Sequence, residues 1–119
     1  MANPNIVNVT TILGETVGAM AGTSLSDLVV NAAASGKVYK VNSLIATNTD
    51  NASARDITVN FNNGTSYAVA QDVTIPTNSS LVVITKDSGI YLQEGEKLEI
   101  KSDIGSNTVQ VVCSYEVIS

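Results

Sequence analysis

Val109-Gln110-Val111-Val112-Cys113-Ser114-Tyr115-Glu116-Val117-Ile118 is the stretch whose reading decides the fold class. Val109, Val111, Cys113, Tyr115 and Val117 share one face of an extended chain and Gln110, Ser114 and Glu116 the other, the period-two alternation of a strand with one side in a core. Val112 and Ile118 break the polar side. Upstream, Lys97-Leu98-Glu99-Ile100-Lys101 puts Leu98 and Ile100 inward and three charges outward, which predicts an edge strand guarded by charge, entered from a turn at Gln93-Glu94-Gly95-Glu96. Residues 56–61 alternate just as strictly, with Ile57, Val59 and Phe61 toward the core. Asn62-Asn63-Gly64-Thr65 follows, and Asn-Gly supplies the left-handed backbone of a two-residue hairpin, so residues 66–70 should return antiparallel beside 56–61.

Two runs are apolar on both faces: Leu81-Val82-Val83-Ile84 and the stretch 38–46. They predict central strands, or strands covered by a neighbouring subunit. Pro76 separates Val73-Thr74-Ile75 from the Leu81 run and belongs at a strand end or edge, since it cannot donate to a ladder. Asp87-Ser88-Gly89 makes a turn before Ile90-Tyr91-Leu92. In the first third, an Ala-rich stretch near residues 19–34 carries some helix propensity behind Ser24 or Ser26. The glycines at 14, 18, 22 and 36 and the β-branched Val29-Val30 pair favour extended structure instead. Residues 1–12, with Ile6, Val7, Val9 and Ile12, read as an extended arm or a first strand. No linker or repeat divides the chain, so the expectation is one all-β domain over residues 1–119. Its architecture would be a single antiparallel β-sandwich or jelly-roll-like domain of seven to nine short strands with an N-terminal extended arm.

Composition agrees with that reading and removes several functions. Val, Ile and Thr make up 38 of 119 residues, side chains that pack well on a pleated surface. Charged residues are 14% and hydrophobic residues 44%, which favours a packed globule over disorder. The chain has no His, the commonest general base and metal ligand, and a single Cys, which excludes an intramolecular disulfide. Six scattered Lys and Arg against eleven Asp and Glu give a net charge of −5, a poor match to nucleic acid or anionic lipid. No apolar run is long enough to cross a membrane as a helix, and residues 1–5 lack a secretory n-region, so a soluble protein made in a cytoplasm is expected.

The residual constellations have plain structural readings. Glu94, Glu96 and Glu99 are the closest carboxylates in sequence, but a glycosidase needs two facing carboxylates with one pKa raised by burial, and a solvated turn and strand face is the simpler account. Asn48, Asp50, Asn51 and Asp56 could offer oxygen to an ion, yet they lack EF-hand spacing and read as an Asx-rich turn. Cys113 has no His to activate it and is expected in the core. The Asn-x-Ser/Thr sequons at Asn8, Asn51, Asn63 and Asn78 follow from the abundance of those residues. Tyr39, Tyr67 and Tyr91 are the remaining platforms for a sugar ring, against the simpler role of core filling. No catalytic residue, metal or cofactor is expected, and the chain is read as no enzyme.

Several segments resemble small virion structural proteins of tailed bacteriophages, especially cyanophages. They are residues 1–9 (Met1-Ala2-Asn3-Pro4-Asn5-Ile6-Val7-Asn8-Val9), Ser35-Gly36-Lys37-Val38-Tyr39-Lys40-Val41-Asn42-Ser43-Leu44-Ile45-Ala46-Thr47-Asn48, Ile75-Pro76-Thr77-Asn78-Ser79-Ser80-Leu81-Val82-Val83-Ile84, Ile90-Tyr91-Leu92-Gln93-Glu94-Gly95-Glu96 and residues 112–119. The resemblance implies a non-enzymatic β-sandwich in the virion, assembled in the host cytoplasm. Its place would be on the capsid as a decoration (cement) protein, with the major capsid protein among its partners, or else in the neck, tail or fibre base, where a glycan- or receptor-binding module is the alternative. By analogy with other cement proteins it implies a homo-oligomer, with a trimer as the example. No functional residue transfers with the resemblance. From the residues themselves, Ile6, Val7 and Val9 are the candidate partner-binding anchor, because an apolar arm can add a strand to an adjacent sheet through main-chain hydrogen bonds.

Overall fold

A computed structural model describes residues 11–119, and the arm residues Ile6, Val7 and Val9 lie outside them. Nine strands are present among the described residues: β1 (Ile12–Ala21), β2 (Ser26–Val30), β3 (Val38–Asn48), β4 (Arg55–Asn62), β5 (Ser66–Ile75), β6 (Ser79–Ile84), β7 (Ile90–Leu92), β8 (Lys97–Ser102) and β9 (Val109–Ile118). One sheet has the order β1-β9-β3-β6, with β7 also paired to β3, and the other β2-β8-β4-β5. All pairings are antiparallel.

The pairing is nested. The first strand lies beside the last, β2 beside β8, β3 beside β6 and β7, and β4 beside β5 across the hairpin. That is one long hairpin wrapped so that its halves alternate between two sheets, the jelly-roll arrangement. The core lies between the sheets. Val41, Leu44, Ile57, Val59, Ile75, Ile84, Leu92, Leu98, Ile100, Val109 and Val111 are fully buried there, each worth roughly 1.5–3 kcal/mol relative to exposure. The alternation read from β9 and β4 is realised, with Val109, Val111, Cys113, Ile57 and Val59 all inside.

Several details differ from the sequence reading, each because strand placement is a non-local property. β8 is not an edge strand: β2 and β4 pair with its two sides. Glu99 is consequently only 9% exposed, and its carboxylate meets Lys97 Nζ at 3.6 Å while accepting from Asn62 Nδ2 and Ser66 Oγ at 3.3 Å each. The apolar Leu81 run forms β6 at the edge of its sheet, not its centre. The hairpin loop has three residues between the paired Asn62 and Ser66. Gly64 takes the left-handed position (φ 108°), and Asn62 Oδ1 accepts from Gly64 N at 2.8 Å, an Asx turn that fixes the reversal. Residues 66–70 and 73–75 belong to one strand, β5, kinked by bulges where Asp72 adopts φ 48°. Thr58 Oγ1 receives the Asp72 amide at 3.0 Å and so holds the kink.

Buried polar side chains tie the sheets together at the ends of β3. Asn48, wholly buried at the end of β3, donates from Nδ2 to the carbonyls of Ser53 (3.0 Å), Ile75 (3.0 Å) and Pro76 (3.3 Å) and accepts the Asp50 amide at 2.9 Å. At the start of β3, buried Asn31 donates to the Lys37 and Leu92 carbonyls at 2.8 and 3.0 Å and accepts from Ser35 Oγ at 2.6 Å. Ser102 closes a third junction, donating to the Ala21 carbonyl at 2.8 Å. Each satisfies backbone groups that the strand ladders leave over. Gly89 leads into β7 because a Cβ there would lie 2.9 Å from the Val41 carbonyl oxygen.

Candidate interaction surface

The register of the first sheet sets outward-facing residues in rows across its strands. Gly18 of β1 pairs with Val112 of β9, Val112 with Ile45 of β3, and Ile45 with Val82 of β6. Val112, Ile45 and Val82 are 48%, 37% and 54% exposed, so an apolar row spans the whole sheet on its solvent side. On one flank lie Met20, Gln110, Thr47 and Ser80, the last two joined by a 2.8 Å hydroxyl contact. On the other, Thr16 and Ser114 are joined at 3.1 Å beside Ser43. These three rows contain no charged residue. Where Gly18 lacks a side chain, a shallow hollow of about 240 Å³ opens between Met20 and Val112.

The outer side of the second sheet is built differently. Lys97 Nζ lies 2.9 Å from Asp27 Oδ1, Asp56 accepts from Thr74 Oγ1 at 2.8 Å, and Lys101 pairs in register with Thr58. One face of the sandwich is therefore polar and ion-paired, while the other carries exposed Val, Ile and Met in uncharged rows, with Lys40 and Glu116 paired in register toward its end. Depletion of charge with retained apolar area is the compositional mark of an interface centre, whereas a free solvated face tends toward the first kind.

The other residues singled out from sequence take structural places. Glu94 Oε2 accepts the Gly36 amide at 2.6 Å and Glu96 Oε1 the Gln93 amide at 2.8 Å, so both carboxylates hold turns. Glu99 is ion-paired in the second sheet, not on a solvated outer face as its sequence neighbours suggest. Asp50 Oδ1 accepts the Ala52 and Ser53 amides at 2.7 and 3.1 Å, and its Oδ2 takes a two-pronged contact from Arg55 at 2.9 and 3.1 Å. The Ala52 amide first, then Arg55 and the Ser53 amide, hold the Asp50 carboxyl below its usual range. This is the Asx-rich turn expected for residues 48–56, with Asn48 turned inward as a staple. Among the described residues, no group of three or more His, Cys, Asp or Glu could hold a metal ion. No helix among them is long and apolar enough to cross a membrane.

Tyr39 stacks on Tyr115, ring centroids 5.3 Å apart and planes 22° from parallel, and both pack against the core. Burial first, and a hydrogen bond to Glu15 second, push the Tyr115 hydroxyl up to about 12. Tyr67 and Tyr91 are exposed but stand on strands of different sheets, so the three candidate platforms form no common surface. Cys113 is buried, and desolvation pushes its thiol up to about 11. In the native protein at pH 8 it should stay unmodified by a water-soluble thiol reagent for hours and react at once in denaturant; rapid labelling of the folded chain would contradict that burial.

Sequence reading missed the apolar row, although its signals were present: Val112 breaks the polar face of the last strand, and the runs containing Ile45 and Val82 are apolar on both sides. What it lacked was the register that aligns them.

No family model matches this chain, and no curated protein matches it. Among solved structures, it is similar to a chain in the acid-stable capsid structure of Helicobacter pylori bacteriophage KHP30, with a TM-score of 0.53 at 9% identity. The match covers 93% of this chain and 90% of that one, so the likeness is of the whole fold.

Proposed function

We propose that this chain is a non-enzymatic bacteriophage virion structural protein, a homo-oligomeric capsid decoration (cement) protein that stabilises the assembled shell. The observation that carries the reading is the uncharged apolar row Val112, Ile45 and Val82 on the outer side of the β1-β9-β3-β6 sheet, set against an ion-paired opposite face. In this reading the neutral face lies against the major capsid protein and the charged face meets solvent. Two further observations support it: the likeness in fold to a chain of a bacteriophage capsid structure, and the use of the Asp50, Glu94, Glu96 and Glu99 carboxylates in holding turns and strands. Ile6, Val7 and Val9 are assigned to partner contact within the particle.

A cement protein works by burying area across junctions that would otherwise open under the pressure of packaged DNA. Particles prepared without this protein should therefore release DNA at a lower temperature than complete particles, and adding the purified protein back should restore the difference. Equal release temperatures would overturn the cement role. Antibody labelling at the tail instead of the shell would move the protein to the neck, tail or fibre base.

A further inference from the structure

The four borders of the two sheets are not equally protected. β2 is five residues long, bulged between Asp27 and Val29, and carries the Asp27–Lys97 ion pair. β5 has two register shifts and a left-handed Asp72. β6 is short and bulged, and β7, which shares its border, has three residues. Bulges, brevity and charge are the usual means of keeping an edge from pairing with another chain. β1 has none of them. Its ten residues pair with β9 in unbroken register from Ile12↔Ile118 to Ala21↔Val109, it contains no Lys and no Pro, and Glu15 is its only charge. It also holds Gly14 and Gly18, and a Cβ at Gly14 would meet nothing within 4 Å and at Gly18 only the Val111 carbonyl oxygen at 3.9 Å. Neither glycine has positive φ. Nothing among the described residues requires them, and glycine within a strand is often found where an outside backbone approaches.

We infer that the β1 edge receives residues 5–10 of a second copy of this chain as an added strand, which deepens the proposed virion role by naming the partner of Ile6, Val7 and Val9. Thr11 exchanges both main-chain hydrogen bonds with Ser119 (3.1 and 3.0 Å), so the chain enters β1 already extended. Residues 5–10, fully extended, span about 20 Å, which fits within the ten-residue edge of β1. Folding back onto its own β1 needs a reversal within Val9-Thr10-Thr11-Ile12, where there is no Gly, Asn, Asp or Pro to make one. The reach is therefore to a neighbour. Residues 1–10 carry no side-chain charge, and Ile6, Val7, Val9 and Thr10 are β-branched, which suits an edge bearing a single carboxylate. Donor and acceptor are different parts of the surface, so a closed assembly either exchanges arms reciprocally in a two-fold pair or passes them head to tail around a ring.

The test uses the purified full-length chain, a chain lacking residues 1–10, and a full-length V7D/V9D chain in case the truncation fails to fold. Mass is read by light scattering and β1 amide protection by hydrogen exchange. The full-length chain should run as a closed oligomer, and both altered chains at the mass of one copy, with β1 protection lost and the melting curve of β3 and β9 retained. A synthetic peptide of residues 1–10 should restore β1 protection in the truncated chain. A monomeric full-length chain, or an oligomer that survives both alterations, would overturn the inference. The two readings fail separately: shell binding by a monomeric full-length chain sinks the strand exchange and leaves the virion role, while an arm-dependent oligomer with no affinity for shells does the reverse.

Discussion

Asn48→Ala is expected to lower unfolding free energy by about 3 kcal/mol, because the buried Ile75 carbonyl, two part-buried carbonyls and one amide lose their partner together and an unsatisfied buried group costs roughly 1–3 kcal/mol. The staple joins the end of β3 in one sheet to Ile75 and Pro76 at the end of β5 in the other. The loss should appear as a fall in Tm of about 10 °C, taking ~3–5 °C per kcal/mol at this chain length. Asn48→Asp should be worse than Ala: it keeps the acceptor for the Asp50 amide but turns a carboxylate oxygen toward carbonyls that need a donor. Thermal unfolding of the two variants beside the parent measures this, and a Tm shift under about 2 °C for Asn48→Ala would show that the buried amide is no staple.

Ile45→Asp is expected to do the opposite, leaving Tm nearly unchanged while removing attachment to the shell. Ile45 points to the solvent side of β3, one residue from wholly buried Leu44. A carboxylate there stays hydrated in the free protein. Against a partner it must be desolvated at the middle of an apolar row with no cation in the flanking rows, at a cost of several kcal/mol. Affinity for shells stripped of their native copy should fall at least about 100-fold, since each 1.4 kcal/mol is a factor of ten. Val82→Asp should behave alike, and Ala68→Asp, exposed on β5 of the other sheet, should bind as the parent does. Unchanged binding by Ile45→Asp would move the contact to another face.

Local chemistry made much of the fold legible. Strict alternation identified β4, β8 and β9, and Asn62 to Thr65 marked the hairpin, because those signals act over a few residues. Glu99 shows where such reading stops. Charges at alternate positions describe an exposed strand face equally well at the edge or in the middle of a sheet, and only the pairing of β8 with both β2 and β4 decides it. Asn31 and Asn48 look like turn formers in sequence; that their amides are aimed inward depends on which carbonyls the ladders leave free. The apolar row was visible only as departures from pattern, and it became a surface when pairing aligned residues 30 to 67 positions apart.

The nesting of first strand with last governs the order in which this molecule is completed. β9 lies between β1 and β3, so the middle of its sheet is the last part to be made. On a ribosome, β1 has no partner in its own sheet until β9 emerges, and β3 waits with one side open. Contacts of such long sequence separation close slowly, and open strands invite pairing with other nascent chains in the meantime. A chain ended before Val109 cannot form this sheet, and commitment to the native state should wait for β9, as one late and cooperative event.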